Sequence, residues 1–229
     1  MRDWVVFITG AKGGLGSFIT RRFLETDVTV VGASRSISQQ DFPRANFTAL
    51  AVDFTKAPAV SDAVQSVISR FGRLDVLVHL VGGFAGGQTV AETDDATWER
   101  MRDVNLTAAF YLLRAAIPHL RKSGKGRIVA VGSLTAVEPH PQLGAYITFK
   151  AALAMLVRTL ALENKDAGLT ANVVLPGTMD APENRRTIPN ADFSKWIQPS
   201  DVVNLVLSLT TERASRVTGA AIPIGGRNV

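Results

Sequence analysis

The sequence has no cysteine, and this absence excludes several kinds of chemistry. Without thiols the chain forms no disulfide, no thiolate metal site and no cysteine nucleophile. The three histidines are scattered and show no metal-ligand spacing, so we expect no metal site. No apolar run approaches the ~18 residues of a membrane helix. A strand begins almost at the N-terminus and leaves no room for a signal peptide, which predicts a cytoplasmic protein without a membrane partner.

The positive charge is not concentrated anywhere along the chain. The formal net charge is +5, but the basic residues are spread out and no basic stripe interleaves with aromatic residues. We therefore expect no nucleic-acid partner. With 229 residues, 46% of them hydrophobic and 20% charged, the chain is long enough and apolar enough for one well-buried globular domain over residues 1–229.

A glycine-rich turn near the N-terminus organises the chain. Residues 5–8 are an apolar run rich in β-branched residues, which predicts a strand buried on both faces. After the turn Thr9-Gly-Ala-Lys-Gly-Gly-Leu-Gly16, apolar residues recur at helical spacing at Leu15, Phe18, Ile19 and Phe23. A strand–glycine–helix turn presents free backbone N–H groups at a helix N-terminus, where they attract phosphate. We expect Gly10 to allow the tight turn, Gly14 to let a pyrophosphate approach and Gly16 to let the helix pack.

The end of the second strand gives information about the nucleotide. Residues 28–31 form an apolar strand that runs into Ser34 and Arg35. Folds of this kind read the adenosine ribose here, and an acidic residue would favour NAD. An arginine instead pairs with the 2′-phosphate of NADP, and Lys12 adds a second positive charge. We predict NADP(H) over NAD(H); the alternative is that Arg35 is an ordinary surface arginine.

Strand and helix patterns alternate along the rest of the chain. Further strands are predicted at 47–52, 74–81, 127–131, 170–175 and 220–224. Helices are predicted at 59–71, in two pieces over 94–122, at 143–165 and from Pro199 onward. This alternation predicts an α/β fold: a single-domain Rossmann fold whose doubly wound, seven-stranded parallel sheet has helices on both faces. The polar, proline-containing segment 179–198 has the composition of a substrate lid.

A serine, a tyrosine and a lysine form the candidate catalytic group. Tyr146 and Lys150 are four residues apart and share one helix face, and Ser133 ends a strand thirteen residues earlier. Such helix-face pairs are often only structural. A lysine ammonium would lower the pKa of tyrosine from about 10 and let it act as a general acid or base near neutral pH. Ser133 would donate to the substrate oxygen as charge develops.

The order of these features along the whole chain resembles the short-chain dehydrogenase/reductases. The resemblance implies that Asn105 holds a helix kink and a water on the active-site lysine. It implies that Lys150 binds the nicotinamide ribose, that Thr178 contacts the carboxamide and that Asp53 lies against the adenine. The family's Asn-Asn-Ala-Gly motif is replaced by His79-Leu-Val-Gly82. We interpret His79 as a hydrogen-bonded strand-end residue.

The sequence therefore predicts two sets of site residues. The catalytic set is Asn105, Ser133, Tyr146 and Lys150. The cofactor-binding set is Gly10, Lys12, Gly13, Gly14, Leu15, Gly16, Ser34, Arg35, Asp53, Phe54, Val81, Gly82, Gly83, Tyr146, Lys150, Pro176, Gly177 and Thr178.

A narrower resemblance points to the dihydropteridine reductases. It consists of Gly-Gly-Phe84-Ala-Gly-Gly at residues 82–87, of Pro182-x-Asn184-Arg185 and of Phe193-Ser194-x-Trp196. Arg35 departs from what an NADH-using pteridine reductase is expected to have, and Ser133 is a serine that those enzymes lack.

These observations favour an NADP(H)-dependent oxidoreductase that interconverts a small-molecule carbonyl and alcohol. A quinonoid dihydropteridine reductase-like enzyme and a non-catalytic dinucleotide-binding regulator are the alternatives. The helix that starts at residue 143 is apolar around most of its circumference, which predicts burial on more than one side and a homodimer or homotetramer.

Overall fold

All seven strands of the described chain belong to one parallel sheet. The structure, a computed structural model, describes residues 3–225 apart from the side chains of residues 182 and 183; the outermost residues of the predicted domain lie outside it. The strands are β1 (Trp4–Thr9), β2 (Val28–Ser34), β3 (Phe47–Ala51), β4 (Val76–His79), β5 (Arg127–Val131), β6 (Thr170–Pro176) and β7 (Ala221–Ile224). Their order is β3-β2-β1-β4-β5-β6-β7. The strand order reverses between β1 and β4, where ligands bind in doubly wound folds.

Helices cover both faces of this sheet. The helices are α1 (Gly14–Leu24), α2 (Ala57–Phe71), α3 (Asp95–Arg102), α4 (Ala108–Lys122), α5 (Gly144–Glu163), α6 (Pro182–Thr187) and α7 (Pro199–Thr210). One hydrophobic core lies between the sheet and α2, α4 and α5, and a second lies between the sheet and α1 and α7. The central strands β1, β4 and β6 are buried along their whole length, which is why they read as apolar runs, whereas the edge strands β3 and β7 are only partly buried. The predicted fold class is confirmed.

Several predicted boundaries shift, and one apolar residue of the pattern that predicted α1 is exposed. Strand β4 has four residues rather than the whole of 74–81. The predicted apolar stripe of α1 buries Ile19 and Phe23, but Phe18 is 50% exposed. Phe18 therefore lies outside the core that α1 forms with the sheet and α7.

Helix α5 corrects the expectation about apolar segments. It is 20 residues long with a mean hydropathy of 1.5 in its most apolar part, so by length and composition it is long and apolar enough to cross a membrane. However, Leu153, Val157 and Leu160 pack in the core against the sheet. Core helices of globular proteins meet the same criterion, so α5 is weak support for a membrane span.

The predicted lid segment is closed at its base by main-chain hydrogen bonds. Asp180 N–H donates to the carbonyl of Ile197 at 2.8 Å, and Ile197 N–H donates to that of Thr178 at 3.1 Å. Between these ends the segment contains α6 and a ring pair of Phe193 and Trp196, whose centroids are 4.8 Å apart. The segment therefore projects from the carboxyl edge of β6 as a closed loop.

Candidate active site

The glycine turn has the geometry that a close backbone approach requires. Gly10 has a φ of +71°, which L side chains rarely adopt. A Cβ on Gly16 would lie 2.0 Å from the Gly10 carbonyl oxygen, so a side chain at position 16 would collide with the turn itself. A Cβ on Gly14, by contrast, would meet nothing within 4 Å. The turn is therefore compact on its inner side and open where α1 begins, at Gly14, next to its N-cap Gly13.

The predicted nucleotide-selecting residues gather beside this turn. Ser34 ends β2, and its hydroxyl oxygen is buried without a hydrogen-bond partner. Arg35 follows it and is exposed. The Lys12 ammonium donates to the Ser36 carbonyl at 3.0 Å, which ties the glycine turn to the chain just after Arg35. The structure thus brings Lys12, Ser34 and Arg35 to one corner of the sheet edge.

The residues after β3 divide between the surface and the core. The Asp53 carboxylate accepts from the Thr55 hydroxyl at 2.7 Å and from its N–H at 3.0 Å, and these bonds hold its pKa below the usual range. The Phe54 side chain is buried in the core. Phe54 can therefore offer a ligand only its main chain, whereas the side chain of Asp53 is partly exposed.

Asn105 joins the helices to the glycine-rich segment after β4. It lies in a π-helical turn, Asp103–Thr107, between α3 and α4 and is fully buried. Its amide accepts from Gly83 N–H at 3.1 Å and donates to the carbonyls of Gly83 at 3.0 Å and Met101 at 3.1 Å. The predicted position at a helix junction is confirmed. Besides these main-chain bonds, its amide nitrogen donates to Met101 Sδ at 3.6 Å.

The side chains of Ser133, Tyr146 and Lys150 lie at the carboxyl edge of β5. Lys150 is buried, and its ammonium donates to the Val131 carbonyl at 3.3 Å and lies 5.9 Å from the Tyr146 ring centre. A Cβ on Gly82 would lie 2.9 Å from both Lys150 Nζ and Asn105 Oδ1, so glycine leaves the space that these two groups occupy. The Ser133 hydroxyl lies 2.8 Å from that of Thr135. The structure therefore brings together all four predicted catalytic residues.

The ionisation of Tyr146 differs from the expectation. Burial raises its pKa, and the Ser133 hydroxyl lowers it by a smaller amount. Burial also lowers the pKa of Lys150 to about 8. The expected lowering of the Tyr146 pKa by the lysine ammonium is therefore not met, because burial, which the sequence does not show, has the largest effect and the opposing contribution comes from Ser133.

Only one of the two ring nitrogens of His79 has a hydrogen-bond partner, so the residue is not fully hydrogen-bonded as expected. Its Nδ1 lies 2.9 Å from the Thr9 hydroxyl, and its Nε2 is buried without a partner. Burial, with a contribution from the charge on Lys150, lowers its pKa to about 3. The imidazole is therefore neutral at the switch point of the sheet.

The remaining predicted residues lie along the same edge. Pro176 ends β6, Gly177 N–H donates to the Ile224 carbonyl at 2.8 Å, and Thr178 is exposed. Leu15 and Val81 each pack partly buried against a core, one on either face of the sheet.

The comparisons with known proteins agree with this geometry. The family model described as short chain dehydrogenase matches residues 4–192.

The chain belongs to the short-chain dehydrogenases.

Relatives of similar length support this assignment. The chain is 30% identical over 237 residues to the 2,5-dichloro-2,5-cyclohexadiene-1,4-diol dehydrogenase LinX of Sphingobium indicum, covering 97% of this chain and 94% of that protein. It is 31% identical over 212 residues to the D-beta-hydroxybutyrate dehydrogenase of Rhizobium meliloti, covering 87% and 81%. The chain is thus an NAD(P)-dependent oxidoreductase of the short-chain dehydrogenase family.

Solved structures with different nucleotides match this short-chain dehydrogenase. ElxO with NADP bound has a TM-score of 0.90 and 26% identity, covering 98% of this chain and 97% of its own. The 3-ketoacyl-(acyl-carrier-protein) reductase from Brucella melitensis complexed with NADH has a TM-score of 0.89 and 26% identity, covering 100% and 99%.

The residues present fit the dinucleotide that a short-chain dehydrogenase uses. The helix end at Gly14 is open, the Ser34 hydroxyl is buried and free to bond, and Lys150 reaches the same edge from α5. Along the carboxyl edge of the sheet, Ser34 at the end of β2 would suit an adenosine ribose, the helix end at Gly14 after β1 a pyrophosphate, and Lys150 near the end of β5 a second ribose.

Three features of the site are absent from the predicted sets of residues. Thr135 hydrogen-bonds to Ser133, Phe84 packs on Tyr146, and Asp41 pairs with Lys12. The pattern Ser38-x-x-Asp41 matches a capping box and so could have drawn attention to Asp41. The Thr135 contact is local, since Thr135 follows Ser133 by two residues. The Phe84 contact joins two distant segments, for which the sequence has no signal.

Proposed function

We propose that this short-chain dehydrogenase interconverts a carbonyl and an alcohol with NADP(H), using Tyr146 as the general acid and base. The observation that supports this most directly is the convergence of Ser133, Tyr146 and Lys150 at the carboxyl edge of β5, beside Gly82 and Asn105. A tyrosine–lysine pair with a purely structural role would not need a buried lysine next to a strand-end serine. A proton-transfer site, by contrast, uses all three groups.

Each residue has a role that follows from its position. The nicotinamide, when bound, supplies or accepts the hydride. Tyr146 donates its phenolic proton to the carbonyl oxygen during reduction and removes the alcohol proton during oxidation. Ser133 donates a hydrogen bond to the same oxygen as negative charge develops on it. Lys150, held by the Val131 carbonyl, favours the tyrosinate electrostatically when protonated and offers its remaining N–H groups to the ribose.

The preference for NADP(H) rests on charge. Lys12 and Arg35 lie at the corner where a 2′-phosphate would bind, and the position before Arg35 is Ser34 rather than an acidic residue. A charge-assisted hydrogen bond is about twice as strong as a neutral one. ElxO was solved with NADP bound, whereas the Brucella relative was solved with NADH. We expect tighter binding of NADPH than of NADH.

A second candidate is the reduction of a quinonoid pterin, and Phe84 favours it. The Phe84 ring is 60% exposed and packs edge-on against Tyr146, with centroids 5.1 Å apart. An exposed aromatic ring next to the proton donor offers a stacking surface to a flat heterocycle. If Tyr146 proves dispensable for turnover, the alternative of a non-catalytic dinucleotide-binding regulator is favoured.

We also propose a cytoplasmic homodimer or homotetramer that acts on a small molecule. The basic residues are spread along the sequence, which argues against a nucleic-acid partner. Some apolar side chains of α5 pack on the sheet, and others, such as Met155 and Leu162, are exposed and available to a second copy. The segment 179–198 is proposed as the substrate lid, since its closed base joins it to the edge where Thr178 lies.

The replacement Tyr146→Phe tests the proposed reaction. It keeps the ring and removes the proton donor, so turnover should fall about 10²–10⁴-fold. NADPH binding, followed by fluorescence titration, should persist because the phosphate contacts lie elsewhere. The matched control is Tyr111→Phe, which alters the only other tyrosine of the chain. A substrate panel should include ketones, β-ketoacyl thioesters and quinonoid pterin.

Two results would contradict the proposal. Turnover of every carbonyl near the wild-type rate in Tyr146→Phe would return this tyrosine to a structural role. An equal loss in Tyr111→Phe would show that the effect is not local. Reduction of pterin alone, with little dependence on Ser133, would favour the second candidate.

A further inference from the structure

Lys12 is already paired with a carboxylate at the corner where the 2′-phosphate is proposed to bind. Its ammonium lies 2.9 Å from Asp41 Oδ1 and donates to the Ser36 carbonyl. The Lys12 side chain is 43% exposed and that of Asp41 23%. The pair therefore faces solvent, where an incoming phosphate can reach it.

Asp41 is held in place independently of Lys12. Its second oxygen, Oδ2, accepts from Ser38 N–H at 2.8 Å and lies 3.2 Å from the Ser38 hydroxyl, which forms a capping box on the short turn Gln39–Asp41. The Gln39 amide fastens this turn to the Phe47 carbonyl at 3.0 Å. The hydrogen bond with Lys12, followed by that with Ser38, holds the pKa of Asp41 below its usual range, so the carboxylate stays ionised at neutral pH. If Lys12 turns toward a ligand, the negative charge stays behind.

This carboxylate alters the local charge that a ligand meets. Lys12 and Arg35 contribute two positive charges, and Asp41 pairs directly with Lys12. Asp53 lies near enough to Arg35 for the arginine charge to lower its pKa, and among the described residues it makes no ion pair with Lys12. A 2′-phosphate must compete with Asp41 for Lys12 and is repelled by its charge. The 2′-hydroxyl of NAD(H) carries no charge and meets no such opposition. The same corner therefore penalises the phosphate without penalising the hydroxyl.

We infer that Asp41 is a specificity-determining residue, which neutralises Lys12 and thereby reduces the preference of this site for NADP(H) over NAD(H). This inference rests on the proposed role of Lys12 and Arg35 toward the 2′-phosphate. According to this inference, the choice of cofactor depends partly on the connection between β2 and β3 and not only on the end of β2.

Removing the charge of Asp41 should strengthen NADPH binding. The variants are Asp41→Asn, whose amide oxygen keeps an acceptor for the Ser38 cap, and Asp41→Ser as a second uncharged replacement. Kd is measured for NADPH and NADH by fluorescence titration at low salt, with a thermal melt for each variant. We expect the Kd of NADPH to fall about two- to fivefold, the range typical of an exposed ion pair, and that of NADH to stay constant. The gain should shrink at high salt because the interaction is screened.

A matched control removes the same charge elsewhere. Glu25 pairs with Arg22 at 2.7 Å at the other end of α1 and is exposed. The replacement Glu25→Gln should leave both Kd values unchanged. In a Lys12→Met background, the gain from Asp41→Asn should be smaller than in the wild type, because the competition for Lys12 is gone and only the direct repulsion of the phosphate remains.

The outcomes separate this inference from the proposed function. NADPH binding that is unchanged or weaker in both Asp41 variants would overturn the inference, and the weaker result would mean that Asp41 positions Lys12 for the phosphate. An equal gain in Glu25→Gln, or a full gain without Lys12, would overturn it as well. A wild type that binds neither nucleotide would overturn the proposed function together with the inference.

Discussion

Near the switch point of the sheet, the burial of individual residues determines their ionisation. His79 and Lys150 are both buried near the carboxyl end of β4, and burial lowers the pKa of each, to about 3 and about 8 respectively. Each position therefore favours the neutral form relative to water. For Lys150 the ammonium still predominates at neutral pH, so it remains a source of positive charge for Tyr146 and for a ribose. For His79 the neutral form predominates in the folded protein at neutral and mildly acidic pH.

His79 should make the folded protein less stable in mild acid. The unfolded chain binds a proton on this residue below about pH 6.5, whereas the folded chain does not until pH approaches 3. The free energy of unfolding is therefore lost as pH falls through this window, by about 1.4 kcal/mol per pH unit. Urea denaturation at about pH 7.5 and pH 5.5 should show this loss in the wild type and a loss smaller by roughly 1.4 kcal/mol in His79→Asn.

The exposed His140 provides the control for this measurement. His140→Asn should keep the wild-type dependence on pH. If His79→Asn loses as much stability between the two pH values as the wild type does, the imidazole is not the group responsible.

At the scale of elements, the π-helical turn between α3 and α4 supports the catalytic edge. The turn directs Asn105 toward the segment after β4, where its amide makes three bonds to main-chain groups of Gly83 and Met101. Gly82, the residue before Gly83, lies directly against Lys150. Local irregularity in a helix thus fixes the position of a loop that borders the reacting groups.

Replacing Asn105 by alanine should loosen this loop. The part-buried Gly83 N–H loses its acceptor, and leaving a fully buried donor unpaired costs about 1–3 kcal/mol, so the cost here lies toward the lower end of that range. We expect the free energy of unfolding to fall by about that amount, together with a lower kcat. Chemical denaturation and steady-state kinetics with NADPH measure the two effects.

Asn46→Ala is the comparison, since the Asn46 amide makes a main-chain bond of 3.0 Å to Val28 far from Lys150. It should lower stability without lowering kcat. Wild-type stability and kcat in Asn105→Ala would show that the turn does not support the loop.

For the whole molecule, the outer side of α5 is the feature that predicts assembly. Met155 is 59% exposed and Leu162 is 73% exposed, although Leu153 and Val157 on the same helix are fully buried. On the neighbouring α4, Phe110 is also partly exposed and lies under Arg114, with the guanidinium 5.0 Å from the ring centre. Large apolar side chains exposed along adjacent helices are typical of protein interfaces.

Light scattering at micromolar concentration should give the mass of a dimer or tetramer. The double replacement Met155→Glu with Leu162→Glu should shift the protein toward the monomer, because charges are costly to bury in an apolar interface. Phe18→Glu, which changes an exposed aromatic residue of α1, should not. A monomeric wild type would contradict the proposed assembly.

The fold and the order of the site residues were readable from the sequence because both depend on local pattern. Continuous apolar runs, glycine turns and helical spacing are properties of short segments, and they determined the parallel sheet, its flanking helices and the strand ends that hold Gly10, Ser133 and Pro176. The pair Tyr146 and Lys150 required only the period of a helix.

The tertiary structure decided everything that depends on packing between distant segments. It placed Asp41 on Lys12, Phe84 on Tyr146 and Asn105 on Gly83, each joining residues from separate segments. It also left Phe18 outside the core and made burial the main influence on the pKa of Tyr146. A residue's burial and its charged neighbours depend on which surfaces meet after folding, and no short stretch of sequence contains that information.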